Sequence, residues 1–114
     1  MVPFWRSVHS VLEAVIGVPI QFDFKTMYLA DLEELHLTKK DQYLLRVLLV
    51  TSKKAITKKW LTNVIPTMNE WIDLIYSVYI MERITFNFRS QGEIFTDYWF
   101  KWIAHVSTIR PDFV

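Results

Sequence analysis

Hydrophobic residues recur at spacings of three and four along four stretches of the chain, a period that predicts amphipathic helices. The predicted helices run from Pro3 to Ile16, from Lys39 to Leu61, from Met68 to Phe88 and from Gln91 to Val106. We therefore expect an all-α fold, a small bundle of about four helices that forms a single domain over residues 1–114.

Local signals mark where the first helix begins and ends. Pro3 suits a first turn, where its fixed φ fits and its missing N–H is not needed. Gly17 stands where a helix commonly ends in a left-handed residue, and Pro19 prevents the helix from continuing.

The three later helices each follow a Ser or Thr that has an acidic residue three positions further on. This spacing is that of a capping box, in which the hydroxyl accepts a hydrogen bond from a free N–H of the first turn. The predicted boxes are Thr38 with Asp41, Thr67 with Glu70, and Ser90 with Glu93.

Residues 18–37 form the irregular part of the prediction. Ile20, Phe22 and Phe24 alternate with other residues in the two-residue period of a strand. No second strand is evident to pair with them, so extended coil is the expectation here. One or two short helical turns are expected between Met27 and Leu37.

The second predicted helix has two distinct faces at 100° per residue. Its apolar face comprises Leu45, Leu48, Leu49, Ser52, Ala55, Ile56 and Trp60. Its opposite face comprises Arg46, Lys53, Lys54, Thr57 and Lys58. Cations in a row are what a phosphate backbone requires, so the candidate nucleic-acid-binding residues are Arg46, Lys53, Lys54, Lys58 and the bordering Trp60. A plain solvated surface is the competing interpretation.

Charge composition alone does not favour a nucleic-acid partner, since 13 Lys and Arg oppose 12 Asp and Glu, for a net charge of +1. The distribution is uneven, however, because no acidic residue occurs between Gln42 and Asn69. This asymmetry supports a local basic patch.

Nothing in the sequence predicts an enzyme, a metal site or a cofactor. There is no Cys, and His9, His36 and His105 are far apart. The acidic cluster of Asp31, Glu33 and Glu34 is interpreted as a solvated surface. The G-x-S-x-G motif, which places a catalytic serine at a sharp turn, does not occur.

The third and fourth predicted helices carry apolar or aromatic side chains almost all round, which suggests a surface that contacts another protein chain. The densest apolar run, residues 43–50, is too short to span a membrane, and the N-terminus lacks the pattern of a secretory signal. We therefore expect no membrane partner and a cytosolic or nuclear location rather than secretion.

The order of motifs resembles the C-terminal tail of the reverse-transcriptase polyproteins of LINE-type (non-LTR) retrotransposons, those of fish and amphibians especially. The matching motifs are Phe4-Trp5 followed by Val8, the lysine-rich run Ser52–Trp60, the helix start Pro66–Trp71, and the segment Met81–Phe86.

The resemblance implies a non-catalytic tail, a fragment of a larger retroelement protein whose endonuclease and polymerase domains lie upstream. The paired Asp motif of the polymerase is absent from this sequence. Because the tail of that family is associated with RNA, the resemblance assigns RNA or DNA binding to Lys53, Lys54, Lys58 and Trp60.

Overall fold

The computed structural model describes residues 2–20, 22, 24–27, 37–59 and 64–113. Its helices are α1 (Val2–Ile16), α2 (Phe24–Met27), α3 (Lys39–Lys58), α4 (Met68–Phe88) and α5 (Gly92–Val106), followed by a short 3₁₀ helix, Pro111–Phe113. These described ranges contain no strand, and the four long helices confirm the predicted all-α bundle.

At two of the three predicted capping boxes, the threonine hydroxyl makes the expected N-capping hydrogen bond. Thr38 Oγ1 accepts a 3.2 Å hydrogen bond from the N–H of Asp41 at the start of α3. Thr67 Oγ1 accepts a 3.1 Å bond from the N–H of Glu70 at the start of α4. Each hydroxyl satisfies a donor that has no partner within the helix, which fixes where the helix begins.

The third predicted box, at Ser90, is wrong. Ser90 has φ +58° and belongs to the end of α4. The N–H of Ser90 donates to Asn87 O at 3.0 Å, and the N–H of Gln91 donates to Phe86 O at 2.7 Å. This pair of bonds is a Schellman motif, whose left-handed position is usually occupied by Gly. α5 instead begins after Gln91, which makes no side-chain capping bond.

The end of α1 agrees with the prediction. Gly17 has φ +84°, and its N–H donates a 2.9 Å hydrogen bond to Glu13 O. The end of α3 is earlier than predicted: the helix ends at Lys58, and Lys59 has non-helical dihedral angles. Residues 60–63 lie outside the described part of the chain.

The described part of the segment after α1 is irregular, as predicted, but a helical turn begins already at Phe24, which was expected in extended coil, and runs to Met27. Before that turn, Ile20 is held from both sides. Its N–H donates to Glu13 Oε2 at 2.9 Å, and its carbonyl lies 2.5 Å from His9 Nε2. Because a carbonyl only accepts, His9 Nε2 must carry the proton. Residues 28–36 are outside the described ranges.

α3 packs against α1, α4 and α5. Most of the described part of the predicted apolar face is buried, with Ile56 half-buried. The buried surface is wider than expected, since Leu44 and Thr51 are also buried. Trp71 of α4 is fully buried, and its Nε1 donates to Leu48 O and to Thr51 Oγ1, each at 3.1 Å. These bonds satisfy the one polar atom of a large core side chain.

Candidate nucleic-acid interface

The basic face of α3 consists of Arg46, Lys53, Lys54 and Lys58, on the side of the helix away from the core. Arg46, Lys54 and Lys58 are exposed, and Lys53 is half-buried. At 1.5 Å per residue, Arg46 and Lys54 are about 12 Å apart along the helix axis, and Arg46 and Lys58 are about 18 Å apart. The face is therefore long enough to follow several phosphates of one strand.

Burial of the opposite side of α3 fixes the orientation of this face. Leu45, Leu48 and Leu49 are completely buried, so a helix of 3.6 residues per turn must turn the basic positions outward. Val50 and Thr57, both exposed, lie among the cations. The sequence prediction thus placed the exposed cations correctly.

Arg46 and Lys54 form no ion pair with any carboxylate of the described residues. Their full positive charge is therefore available to a ligand. Lys53, by contrast, already interacts with another group of the protein.

Lys58 lies in a different electrostatic environment. It lines a crevice of about 240 Å³ together with Glu70, Asp73 and Ser77 of α4. Acidic side chains so close reduce the positive potential at this end of the basic face. The neighbouring Lys59 forms a 3.4 Å ion pair with Glu70, and Arg110 forms a 2.7 Å ion pair with Asp73. Lys58 therefore lies among charges of both signs, whereas Arg46 and Lys54 form no ion pair with the described carboxylates.

This difference leaves no local pattern in the sequence, because the carboxylates near Lys58 belong to another helix. Trp60, the aromatic member of the predicted site, lies outside the described residues. The structure therefore brings Arg46, Lys53, Lys54 and Lys58 onto one helix surface and leaves the position of Trp60 undescribed.

A second surface, on α4, is apolar and exposed. Met81, Ile84 and Phe88 are spaced three and four residues apart, so they line one side of the helix. Phe88 is 91% exposed. This stripe is one exposed part of the predicted aromatic and apolar surface; Phe100 of α5 is another, at 65% exposed.

No group of three or more metal-binding side chains occurs within the described ranges. His9 is engaged with Ile20, and His105 is half-buried at the end of α5. His36 and the acidic cluster Asp31, Glu33 and Glu34 lie outside those ranges. Among the helices that the structure describes, none combines the length and hydrophobicity needed to cross a bilayer.

Two polar arrangements inside the bundle could not be predicted from the sequence. Glu82 of α4 accepts hydrogen bonds from the Tyr43 hydroxyl and from Trp99 Nε1. Trp102 Nε1 and His105 Nε2 are buried without a hydrogen-bond partner. Both arrangements depend on contacts between helices, which the order of residues does not reveal.

Comparison with models of known protein families gives no match to this chain, and comparisons with curated proteins and with solved structures also give none.

Proposed function

We propose that this chain is a non-catalytic helical domain, derived from the C-terminal tail of a LINE-type reverse transcriptase, that binds RNA or DNA without sequence preference. The observation that carries the binding proposal is the pair of exposed cations, Arg46 and Lys54, on one face of α3 with no carboxylate partner among the described residues.

Physical chemistry supports weak and nonspecific binding at such a face. Neutralising phosphates with Arg or Lys releases condensed counterions, a favourable effect that does not depend on base sequence. Val50 and Thr57, which lie among the cations, have no groups suited to reading base edges with bidentate hydrogen bonds. Affinity at this face is therefore expected to depend strongly on salt and little on sequence.

The resemblance of the sequence motifs to those of the LINE-type tail supports the proposed origin of the domain. Three of the four exposed or half-buried cations of the basic face, Lys53, Lys54 and Lys58, belong to the motif that resembles the lysine-rich helix of the LINE-type tail. A reverse-transcriptase reading frame directly upstream in the genome would support this origin, and unrelated flanking sequence would argue against it.

The binding test is a titration of labelled poly(U) with the protein over a range of salt concentrations. A contact with about four phosphates of a single strand gives a slope of about −3 for log K against log salt. The double variant Arg46→Gln/Lys54→Gln should make the slope shallower by about 1.4, since each lost contact removes about 0.7.

The matched control is Arg83→Gln/Arg89→Gln, which removes an exposed cation of α4 and the exposed C-cap cation that follows the helix, and which gives the same net charge as Arg46→Gln/Lys54→Gln. It should retain the wild-type slope. An equal decrease of the salt slope in both double variants would show that binding depends on total charge and not on the basic face of α3. Absence of binding at low salt would refute the nucleic-acid proposal.

The second candidate function is a protein-interaction module without a nucleic-acid role. The exposed stripe of Met81, Ile84 and Phe88 favours it, because contiguous exposed apolar side chains are typical of contact surfaces. Light scattering after size exclusion tests this alternative. Oligomers that dissociate in an Ile84→Ser/Phe88→Ser variant would support it, and a monomer that unfolds cooperatively at all concentrations would oppose it.

A further inference from the structure

The basic face of α3 continues beyond Arg46 to the start of the helix. Lys39, the first residue of α3, is exposed and forms no ion pair with any carboxylate of the described residues. It stands seven positions before Arg46 and fourteen before Lys53. Seven residues rotate an α-helix by about 700°, which is only about 20° short of two full turns. Lys39, Arg46 and Lys53 therefore lie almost in one line along α3.

The charged residues that follow Lys39, Lys40 and Asp41, are paired and lie on other sides of the helix. Lys40 forms a 3.4 Å ion pair with Asp97 of α5, and Asp41 forms a 2.9 Å ion pair with Lys101 of α5. One residue along an α-helix corresponds to about 100° of rotation and two residues to about 200°, so neither pair lies on the line of Lys39. Because each pair has no net charge, neither compensates the charge of Lys39.

Lys39 makes the basic face longer by more than half. At about 1.5 Å per residue, the distance along the helix axis is about 18 Å from Arg46 to Lys58 and about 28 Å from Lys39 to Lys58. A stacked strand of nucleic acid rises about 3.4 Å per nucleotide. The shorter distance therefore corresponds to about five nucleotides and the longer distance to about eight.

We propose that α3 binds about eight nucleotides of a single strand that follows the helix axis, and that Lys39 contacts the phosphates at one end of this strand. This proposal rests on the proposed nucleic-acid function. One more neutralised phosphate releases further counterions, so Lys39 adds about 0.7 to the salt slope given by the rest of the basic face. A strand of about five nucleotides that occupies the surface from Arg46 to Lys58 is too short to reach Lys39 as well.

The test measures log K against log salt for oligo(A) strands of five and of ten nucleotides, whose bases stack. With the ten-nucleotide strand, the slope for Lys39→Gln should be shallower than that of wild type by about 0.7. With the five-nucleotide strand, the two proteins should have the same slope. Lys39→Arg, which keeps the positive charge, should behave as wild type with both strands.

The matched control is Lys40→Gln, which removes a lysine from the same end of α3 and gives the same net charge as Lys39→Gln. It should leave the slope unchanged with both strands. The proposal would be overturned by an unchanged slope for Lys39→Gln with the ten-nucleotide strand, by an equal change for Lys40→Gln, or by an equal change with the five-nucleotide strand. The proposed nucleic-acid function would survive such a result if Arg46→Gln/Lys54→Gln still made the slope shallower, so the two failures are distinguishable.

Discussion

The indole Nε1 of Trp99 donates a 2.7 Å hydrogen bond to Oε2 of Glu82. The other carboxylate oxygen, Oε1, accepts from the hydroxyl of Tyr43. A single carboxylate of α4 therefore joins α5, which carries Trp99, to α3, which carries Tyr43. Trp99 is only 1% exposed, so water cannot easily replace the carboxylate as its partner.

Replacing Glu82 should destabilise the bundle more than its position near the surface suggests. Glu82→Ala removes two hydrogen bonds to a charged group and leaves the buried Trp99 donor unpaired, for an expected loss of about 2–3 kcal/mol in the free energy of unfolding. Urea denaturation measures this value. Glu93→Ala, at an exposed carboxylate of α5, should cost less than about 1 kcal/mol. Equal costs for the two variants would mean that the Glu82 contacts do not stabilise the fold.

Tyr43 should make stability depend on pH in the alkaline range. Burial raises the pKa of the Tyr43 phenol above its ordinary 10.0, and the hydrogen bond to Glu82 and nearby negative charge raise it further. Because the folded state holds this proton more tightly than the unfolded state, the stabilisation is complete below pH 10.0 and is lost as the pH rises. Urea denaturation should show the advantage of wild type over Tyr43→Phe shrinking above that pH. A constant difference would contradict the assignment.

His105 should produce the opposite dependence in mild acid. Burial lowers the pKa of its imidazole below the ordinary 6.5, so the unfolded state binds this proton more readily. The stabilisation is therefore present above pH 6.5 and is lost as the pH falls through the lowered pKa. In denaturation curves across this range, wild type should weaken relative to His105→Phe as the solution becomes more acidic. Parallel pH profiles for the two proteins would be inconsistent with a lowered pKa of the half-buried His105.

The left-handed conformation of Ser90 predicts that glycine is better at this position. Ser90→Gly removes the steric cost of φ +58° and should raise the free energy of unfolding by about 1 kcal/mol. Ser107, the C-cap of α5, has φ −64°, so Ser107→Gly offers no such relief and should be neutral or destabilising. Thermal unfolding of both variants tests the difference, and a gain at position 107 as large as that at 90 would refute it.

The sequence predicted the helices well because their signals are local. The capping boxes at Thr38 and Thr67 and the left-handed Gly17 each involve residues within one helical turn. Ser90 misled the prediction because its spacing to Glu93 is that of a capping box, whereas the short connection between α4 and α5 requires a left-handed residue there. Sequence spacing does not distinguish these two uses of a serine.

In the candidate site, the exposed cations could be predicted from the sequence, but the contacts between helices could not. Exposure of Arg46 and Lys54 follows from burial on the opposite side of the same helix. The acidic crevice beside Lys58 and the unpaired nitrogen of Trp102 depend on how separate helices pack. Such long-range contacts are set by the complete core, and no short stretch of sequence encodes them.

The proposed contact between nucleic acid and the Arg46–Lys54 side of α3 can be mapped residue by residue with NMR. Backbone amide signals of ¹⁵N-labelled protein are recorded during titration with a short oligo(U) at low salt. If this face binds nucleic acid, the shifts should be concentrated at Arg46, Val50 and Lys54 and should disappear when salt is raised. Shifts centred instead on Met81 to Phe88 of α4, or no shifts at low salt, would contradict this contact.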